Sequence, residues 1–486
     1  MIVVKFMHIL YNNIPNKRNH NFNMRLEPTM FRKYDIRGRV SDAEFNEKSV
    51  EAIAKGFGTM LRKRGVETCV CAYDNRAYSK GLTEVAMAGL ASTGVSVRNI
   101  GLATVPVAYW AQYFLKIKGV CMGTASHNPN GWFGLKLGFD YTSTLVEEEI
   151  RELYSIIERE EFQVGQGAIE TVDGVIEAYQ EDVVGRATLH RPLTVVVNCG
   201  NGTAGPINVP VLEKLGVKVI GQFIESDPTF PNHEPNPSLV EFQRALSSKV
   251  LETKADLGIG FDADGDRLGL IDNLGQSFFS DKAFILLTRL ALEKEPGAKI
   301  VFDVKSTQAL IDDIKAHGGV PVMWKTGHSF IKAKAKEVDA ALGGERSGHI
   351  FVRRGYYGYD DALMAALKFL EYVSGQSKTV AELHDEVSTY AASPEIKAHC
   401  ADEIKEQVVA RIVQELKQEF GPERVIDIDG ARVDFGDGWG LVRYSSNLPE
   451  LVLVFEAKTK ERMREIKELF RARLQKHPEV GPFENE

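Results

Sequence analysis

Hydrophobic positions along most of this chain switch between a helical spacing and short strand-like runs. The stretch 49–64 is apolar at helical spacing and ends before a glycine, and the apolar run 68–73 that follows predicts a strand. The same order of helix, glycine and β-branched strand returns before 95–97, 217–220 and 320–324. Helices alternating with short strands are typical of α/β layers. The pattern therefore predicts repeated α/β domains through about residue 370.

Changes in this pattern place domain boundaries near residues 171, 275 and 388. The first follows an acidic helix at 147–161, the second a predicted hairpin at 268–279, and the third a helix at 362–372. Beyond them a long amphipathic helix at 403–420 and a hairpin through 436–438 indicate an α+β domain. We therefore predict an N-terminal extension, expected to be disordered, and four domains, with bounds 1–29, 30–171, 172–275, 276–388 and 389–486.

The composition is that of a soluble globular protein. Of 486 residues, 44% are hydrophobic and 26% charged, and the net charge of −8 argues against nucleic acid, which requires a basic face. No stretch is long and apolar enough for a transmembrane helix, so we expect a cytoplasmic protein without a membrane partner. Five cysteines without a CxxC pair favour a reducing compartment. An acidic protein can still concentrate its cations in one cleft and attract a small anion.

A loop after an apolar strand carries the first candidate chemistry. The run 119–122 leads into Thr-Ala-Ser-His-Asn-Pro at 124–129, where small neighbours let backbone N–H groups converge on Ser126. The same residue types make ordinary turns. Four further loops, each with groups that phosphoryl transfer needs, favour Ser126 as the reacting residue.

A second predicted strand runs into three closely spaced carboxylates, Asp262, Asp264 and Asp266. Alternating carboxylates with small residues between them suit a hard cation, and Mg²⁺ is the one that fits phosphate chemistry. An EF-hand would need glycine where Arg267 stands and glutamate where Asn273 stands, so the calcium interpretation fails. The strand followed by Asp-x-Asp-Gly is also similar to the motif of haloacid-dehalogenase-type phosphatases, in which Asp262 would be the nucleophile.

The remaining loops supply groups that move protons or bind phosphate. His328 and His349 lie in Gly-rich stretches, and histidine titrates near neutrality, as proton transfer to and from a sugar hydroxyl requires. Lys305 follows a strand at a position suited to an anion. Arg443 precedes hydroxyl and amide side chains, which is the composition of a phosphate clamp, namely Ser445, Ser446 and Asn447.

Together these motifs resemble the α-D-phosphohexomutases, and among them the bifunctional bacterial phosphomannomutase/phosphoglucomutase group. The resemblance covers about residue 30 to the end. It rests on Tyr-Asp-Ile-Arg-Gly at 34–38, Thr-Ala-Ser-His-Asn-Pro at 124–129, Asp-x-Asp-Gly-Asp-Arg at 262–267, Thr-Gly-His-Ser at 326–329, Gly-Glu-x-Ser-Gly-His at 344–349 and Arg-x-Ser at 443–445. It implies three related α/β domains with mixed sheets and a fourth, α+β domain resembling the TATA-binding protein, around a central cleft.

The resemblance also implies a reaction. Ser126 would be carried as phosphoserine and would give its phosphoryl group to a hexose phosphate of mannose or glucose. The resulting 1,6-bisphosphate would turn over and return the other phosphate, so that a 6-phosphate becomes a 1-phosphate. Mg²⁺ would be held by Ser126, Asp262, Asp264 and Asp266 and would draw charge from the transferring group. Glucose 1,6-bisphosphate or mannose 1,6-bisphosphate would serve as activator.

The family pattern assigns the other residues by position. It places in catalysis, beside Ser126, the side chains of Arg37, His127, Lys136, His328 and His349. It places against the substrate Tyr34, Arg267, Lys305, Glu345, Ser347, Arg443, Ser445, Ser446 and Asn447. In this pattern Glu345 and Ser347 meet the sugar hydroxyls, and the last four residues hold the phosphate that is not reacting. Partners are then small hexose phosphates, and the protein is expected to be a monomer or homodimer.

Some positions depart from the family pattern, and alternatives stay open. Phe133-Gly134 stands before Lys136 where the family has Asn-Gly, and Arg346 is unusual in the sugar loop. A phosphoglucosamine mutase would share the mechanism, whereas a haloacid-dehalogenase-type phosphatase would not need Ser126. A catalytically inactive sugar-phosphate binding protein is the non-enzyme alternative. If the protein is a mutase, a hinge near residue 388 is expected to close the cleft on substrate.

Overall fold

The computed structural model describes residues 26–277, 281–446 and 448–484, and their strands form four sheets. Most of the predicted N-terminal extension lies outside the described residues, as does Asn447 of the predicted phosphate clamp. Among the helices of the described ranges, none has both the length and the apolar character needed to cross a bilayer.

The first sheet has six strands and combines parallel with antiparallel pairs. After a 3₁₀ turn at Pro28–Met30 the elements are β1 (Ile36–Arg39), α1 (Glu47–Lys63), β2 (Thr68–Tyr73), α2 (Ser79–Ala91), β3 (Ser96–Leu102), α3 (Val105–Leu115), β4 (Gly119–Gly123), β5 (Trp132–Gly138), α4 (Glu147–Glu158) and β6 (Ile169–Thr171). The strand order is β1-β5-β4-β2-β3-β6. Strands β4, β2, β3 and β6 run parallel, while β5 is antiparallel to β1 and β4. The strand predicted at 68–73 is confirmed.

The second sheet has four strands. Its elements are α5 (Val175–Val184), β7 (Thr194–Asn198), α6 (Ala204–Lys214), β8 (Lys218–Gln222), α7 (Val240–Thr253), β9 (Leu257–Phe261) and β10 (Leu268–Asp272), with the order β10-β9-β7-β8. The hairpin predicted at 268–279 is only partly right. Up to residue 277 it forms a single bridge, Ile271 to Ser277, whereas all of β10 pairs with β9, and residues 278 and 279 of the prediction lie outside the described ranges. The turn of that longer hairpin is the carboxylate loop itself.

The third sheet also has four strands. Its elements are α8 (Asp281–Lys294), β11 (Lys299–Asp303), α9 (Gln308–Ala316), β12 (Val320–Trp324), α10 (His328–Glu337), β13 (Leu342–Gly344), β14 (Ile350–Val352), α11 (Ala362–Gly375) and α12 (Val380–Asp385). The order is β12-β11-β13-β14, and only the pair β13–β14 in this sheet is antiparallel among the described strands.

The fourth sheet is antiparallel and carries two long helices. Its elements are β15 (Ala391–Ala392), β16 (Ile396–His399), α13 (Lys405–Phe420), a 3₁₀ turn at Pro422–Arg424, β17 (Val425–Ile426), β18 (Ala431–Asp434), β19 (Gly438–Tyr444), β20 (Glu450–Ala457), α14 (Lys460–Leu474) and β21 (Phe483–Glu484). The order is β17-β18-β19-β20-β16-β21, and β15 pairs with β20. This is the predicted α+β arrangement, and its likeness to the TATA-binding protein stays an expectation.

Three large hydrophobic clusters hold these sheets among the described residues, and one of them packs α1, α2 and α4 against the first sheet. One continuous core runs through the first three sheets, where Tyr109 of α3, Tyr179 of α5 and Tyr359 before α11 are all buried. The fourth sheet packs α13 and α14 against its own core. A small cluster joins the third and fourth sheets and consists of Val304, Trp439, Leu441 and Val454. The predicted fold class is confirmed, while the exact domain boundaries stay predictions.

Candidate active site

Loops that follow β4, β9, β11, β12 and β13 converge on one cavity of about 730 Å³. Side chains at the ends of strands commonly form ligand sites in α/β folds. The predicted residues that line the cavity are Tyr34, Arg37, Ser126, His127, Lys136, Arg267, Lys305, His328, Glu345, Ser347, His349, Arg443, Ser445 and Ser446. All three aspartates are buried. Asp264 and Asp266 lie against Lys136, Asp266 also lies against His349, and Asp262 lies 3.8 Å from Arg267 of this lining. Every predicted site residue that the structure describes is thus brought together.

Ser126 is held in an unusual backbone conformation. Its φ is +53°, in the left-handed region that favours glycine, and its N–H donates to Thr124 Oγ1 at 2.9 Å. The Oγ atom is 3.0 Å from Nδ1 of His127. Burial lowers the pKa of His127 well below its usual value, and Arg267 and Arg37 lower it further. The serine hydroxyl therefore faces a neutral imidazole.

A buried ion pair that the sequence analysis did not identify supports this loop. Arg76 donates to the carbonyl oxygen of Ser126 at 2.8 Å and to that of Asn128, and it pairs with Asp74. Asp74 in turn accepts from the backbone N–H of Ala125 at 3.3 Å. Their position in the sequence could have identified them. Asp74 and Arg76 come directly after β2, which pairs with β4, and the loop after β4 carries Ser126.

The three aspartates form a site for a cation. One oxygen of each lies within 4.8 Å of the others, and Asp262 Oδ2 and Asp264 Oδ1 accept no hydrogen bond from the described residues. Burial and repulsion from the neighbouring carboxylates raise the pKa of Asp262 well above its usual value. A divalent cation would satisfy these oxygens and offset the repulsion. The residues present therefore fit a metal of that charge.

Lys136 and His349 contact the buried carboxylates from two different parts of the chain. Lys136, on β5, donates to Asp264 Oδ2 at 3.3 Å and also to Asp266. Nε2 of His349 lies 3.2 Å from Asp266 Oδ1, and its Nδ1 lies 2.8 Å from Glu345 Oε2. Burial lowers the pKa of His349, but these two carboxylates outweigh it and raise the value to about 9. The cavity thus holds cationic groups beside the metal site.

His328 lies between two buried carboxylates, neither of which the sequence analysis assigned. Nε2 is 3.4 Å from Asp35 Oδ1, and Nδ1 is 3.6 Å from Asp360 Oδ2. Arg37 pairs with Asp35 at 2.9 Å, and Lys332 lies 3.2 Å from Asp360. Burial lowers the pKa of His328, although the carboxylates oppose it. This imidazole is therefore neutral and able to take a proton.

Glu345 connects the sugar loop to the loop of His328. Its Oε1 accepts from the backbone N–H of Gly327 at 2.5 Å, and its Oε2 lies 3.4 Å from Ser347 Oγ. Gly327 has a φ of +133°, and a Cβ there would come within 2.7 Å of the ring of Tyr34. Only glycine allows that close approach. The carboxylate is therefore fixed at the cavity wall.

The predicted phosphate clamp lies on the fourth sheet and its following loop. Arg443, on β19, donates through Nε to Asp429 Oδ2 at 2.8 Å, and its Nη2 is 3.5 Å from Ser446 Oγ. Lys405 donates to the carbonyl oxygens of Ser445 and Leu448, at 2.7 and 2.9 Å. Asp429 and Lys405 lie 14 and about 40 residues before the clamp residues that they contact, and no local motif indicates these contacts.

Across from the clamp, Lys305 also has a partner that the sequence analysis missed. Its Nζ donates to Glu395 Oε1 at 2.7 Å, and Glu395 lines the cavity. The positive charge of Lys305, together with Arg346 and Arg443, outweighs the effect of burial and lowers the pKa of Glu395 to about 2. Lys305 thus enters the cavity as a paired cation.

Family models match nearly all of the described chain, in the same order as the four sheets. They are the phosphoglucomutase/phosphomannomutase α/β/α domains I, II and III, at residues 28–164, 176–275 and 279–390, and the C-terminal domain of the same family, at 395–473.

Individual relatives agree with the family models. The chain is 37% identical to a phosphomannomutase/phosphoglucomutase of Pseudomonas putida, over 92% of this chain and 96% of that protein. It is 36% identical to a phosphoglucomutase of Neisseria gonorrhoeae, over 93% and 98%. A crystal structure of a phosphoglucomutase/phosphomannomutase family protein from Burkholderia thailandensis superposes with a TM-score of 0.87 at 33% identity, covering 94% of this chain and all of that one. The resemblance seen in the motifs is confirmed, and the chain belongs to the phosphoglucomutase/phosphomannomutase family of α-D-phosphohexomutases.

Proposed function

We propose that this protein interconverts hexose 1-phosphates and 6-phosphates through phosphorylated Ser126 and a hexose 1,6-bisphosphate. The observation that carries the proposal is the composition of one cavity. Ser126 faces it beside three aspartates, two of which have unsatisfied oxygens, and Arg443 and the clamp serines line the same space. The volume of about 730 Å³ falls within the range of roughly 300–1,000 Å³ that small-ligand sites occupy.

In the transfer step, the bond between phosphorus and Ser126 Oγ breaks as a bond to the sugar hydroxyl forms. Arg443, Ser445 and Ser446 hold the phosphate at the far end of the sugar, while Glu345 and Ser347 orient its hydroxyls. Fixing both ends places the attacking oxygen close to phosphorus and supplies most of the orientation that the reaction needs. The second transfer, back to Ser126, uses the same contacts after the bisphosphate has reversed.

His328 is the proton acceptor in this proposal. Its imidazole is neutral because burial lowers its pKa, and it lines the cavity. In the first transfer the proton of the attacking sugar hydroxyl passes to this ring, while the ammonium group of Lys136 gives a proton to the leaving Ser126 Oγ. In the second transfer Ser126 returns its proton to Lys136, and the ring gives its proton to the sugar oxygen that leaves. Lys136 and His349 are cationic beside the carboxylates when phosphorylated Ser126 meets the substrate. Their positive charge offsets the negative charge of the transferring phosphoryl group.

The metal that fits the carboxylate site in this reaction is Mg²⁺. Asp262, Asp264, Asp266 and Ser126 would hold it, and it would withdraw charge from the phosphoryl oxygens. We propose mannose and glucose phosphates as substrates, because relatives from Pseudomonas and Neisseria carry those names. A 1,6-bisphosphate of either sugar would serve as activator. We further propose a cytoplasmic location and a monomer or homodimer.

The test combines mass and turnover. The intact mass and a peptide map over 119–136 are measured together with conversion of mannose and glucose 1-phosphates, with Mg²⁺ and a trace of glucose 1,6-bisphosphate. We expect one phosphate on Ser126 and isomerisation that Ser126→Ala abolishes. Ser92→Ala, at the end of α2 in the same part of the chain, serves as the control and should behave as wild type.

Two other outcomes would replace the proposal. Release of free phosphate, undiminished in Ser126→Ala, would make Asp262 the nucleophile of a phosphatase. Faster conversion of glucosamine 1-phosphate than of either proposed substrate would indicate a phosphoglucosamine mutase.

A further inference from the structure

One carboxylate oxygen joins the phosphate clamp to the loop that carries His328. Asp429 Oδ2 accepts from Arg443 Nε at 2.8 Å and from the backbone N–H of Thr326 at 3.1 Å. Arg443 belongs to the fourth sheet, whereas Thr326 follows β12 of the third. Both donors converge on a side chain that is 9% exposed. The contact therefore bridges two domains at the wall of the cavity.

The backbone around Asp429 is shaped for this contact. Asp429 lies in the turn between β17 and β18, and Gly430 follows it with a φ of +82°. A Cβ on Gly430 would lie 2.2 Å from the carbonyl oxygen of Val442 and 2.7 Å from Cα of Arg443. Only glycine lets the turn pack this closely on β19. The carboxylate of Asp429 is thereby held against the clamp strand.

On the other side, the contact reaches the proton acceptor. Thr326 is two residues before His328, and Gly327 caps the helix that His328 begins. The Oγ1 of Thr326 also lies 3.3 Å from Asp303 Oδ2. The N–H of Gly327 donates to Glu345, which orients the sugar in the proposed reaction. A shift of Thr326 would therefore move both the imidazole and the sugar contact.

The guanidinium geometry lets Asp429 act without competing with substrate. Asp429 occupies Nε of Arg443, while Nη2 makes a long contact of 3.5 Å with Ser446 of the same clamp. The Nη side of the guanidinium can therefore face phosphate oxygens and bind two of them at once. Burial lowers the pKa of Arg443, but the Asp429 carboxylate raises it, and the net result is a pKa above the usual value. The clamp thus stays charged and fixed in direction.

We propose that Asp429 is a positioning residue that couples binding at the phosphate clamp to placement of His328. This inference rests on the proposed mutase function. The contact is made in the arrangement of domains seen here, and a rotation of the fourth domain that withdraws Arg443 from a substrate phosphate would also take Asp429 Oδ2 from Thr326 N–H and release the start of α10. Substrate that engages the clamp thereby sets the imidazole in place for proton transfer.

Kinetics of variants test this coupling. We expect Asp429→Ala to lower kcat by about tenfold to a hundredfold, because small misplacement of a catalytic group has effects of that size, while KM changes much less. Asp429→Asn keeps an acceptor oxygen and should lose less. The matched control is Asp427→Asn, an exposed aspartate two residues away that pairs with Lys417, and it should match wild type.

A double variant separates coupling from a purely structural role. If Asp429 acts through His328, Asp429→Ala should cost little kcat once His328→Gln is present, because contributions through one shared group are not additive. Fully additive losses of kcat, or a raised KM with unchanged kcat in Asp429→Ala, would overturn this inference. The proposed function would still hold in that case, provided that the wild-type protein isomerises hexose phosphates. Absence of isomerisation in wild type would instead reject the proposed function.

Discussion

Thr124 Oγ1 donates a hydrogen bond of 3.0 Å to Asp264 Oδ2 and thereby ties the loop of Ser126 to the carboxylate loop. The same hydroxyl accepts from the N–H of Ser126 at 2.9 Å. One buried side chain thus sets the spacing between the residue that carries the phosphoryl group and the site that fits a metal. Two loops that are far apart in sequence become a single rigid unit.

Thr124→Val should therefore damage transfer more than binding. Valine keeps the shape but leaves the Ser126 N–H without its acceptor, at a cost of about 1–3 kcal/mol. We expect kcat to fall by about tenfold to a hundredfold with a KM near that of wild type. The control is Thr83→Val, since the buried hydroxyl of Thr83 has no hydrogen-bond partner among the described residues. Equal losses in the two variants would contradict the assigned role.

Asp262→Asn should lower the rate of turnover and raise the stability of the metal-free protein. Oδ1 of Asp262 accepts from the backbone N–H groups of Asp266 and Arg267 at 3.0 and 3.1 Å, and an amide oxygen can keep both bonds. Losing one of three repelling buried charges should raise the free energy of unfolding without metal by on the order of 1 kcal/mol.

Thermal unfolding with and without Mg²⁺ measures that exchange. Wild type should gain stability from Mg²⁺ and lose turnover when a chelator removes the ion, whereas Asp262→Asn should gain little and turn over slowly. A variant that Mg²⁺ stabilises as strongly as wild type would show that the cation binds elsewhere.

Asp361 should make stability depend on pH. It caps α11, accepting from Met364 N–H at 2.9 Å and from Tyr356 at 2.7 Å, and burial raises its pKa to about 6. The folded state then binds the proton more tightly than the unfolded chain, so this stabilising contribution is present at low pH and is lost as pH rises through about 6. The loss amounts to roughly 2–3 kcal/mol at about 1.4 kcal/mol per pKa unit.

Urea unfolding of wild type and Asp361→Asn between about pH 3.5 and about pH 7 isolates the effect, because the loss occurs between the ordinary carboxyl pKa of about 4 and the raised value of about 6. The difference in unfolding free energy should move in favour of the asparagine variant as pH rises. Asp385→Asn, at the exposed last residue of α12, is the control. A difference that stays flat across the range would refute the role assigned to Asp361.

Arg432 should control how firmly the fourth domain docks. Its Nη1 donates to the carbonyl oxygens of Val304 and Ser306 at 2.7 and 2.8 Å, and its guanidinium stacks on Trp439. Arg432→Lys should weaken this contact between the third and fourth domains. The KM for hexose phosphate should rise, because part of the binding free energy must then be used to fix the position of the clamp. Small-angle scattering should show a larger radius of gyration without ligand, and compaction on adding bisphosphate. An unchanged radius in both states would count against a hinge near residue 388.

The sequence identified the loops well because local rules govern them. Ser126, Asp262, Lys305 and Glu345 each follow a strand, and α/β folds commonly carry their ligand-binding groups at strand ends, so a functional role for these loops was predictable although the strands belong to three sheets. What it missed are partners across loops. Asp429 lies in a turn of the fourth domain, and nothing near it in sequence indicates that it accepts a hydrogen bond from Thr326. Such contacts depend on how domains dock, which local patterns do not encode.

The resemblance added what spacing alone left open. Asp-x-Asp-Gly is compatible with a nucleophilic aspartate. The four further loops favoured Ser126 as the reacting residue, and the order of all six motifs identified the family whose reaction uses a phosphoserine. Even so, the sequence did not identify Asp35 as a partner of His328, although Asp35 stands inside the first quoted motif. The sequence shows that residue 35 is an aspartate, but it does not show that the side chain is buried and points at His328.

The core shared by the first three sheets has a consequence for synthesis of the chain. Tyr109 packs at 5.7 Å from Tyr359, which is made 250 residues later. At about 5–20 residues per second, a ribosome leaves the apolar face of α3 uncovered for on the order of ten seconds or more. The nascent protein is therefore a natural client for chaperones until α11 emerges, whereas the fourth domain, with its own core, can fold as soon as it is complete.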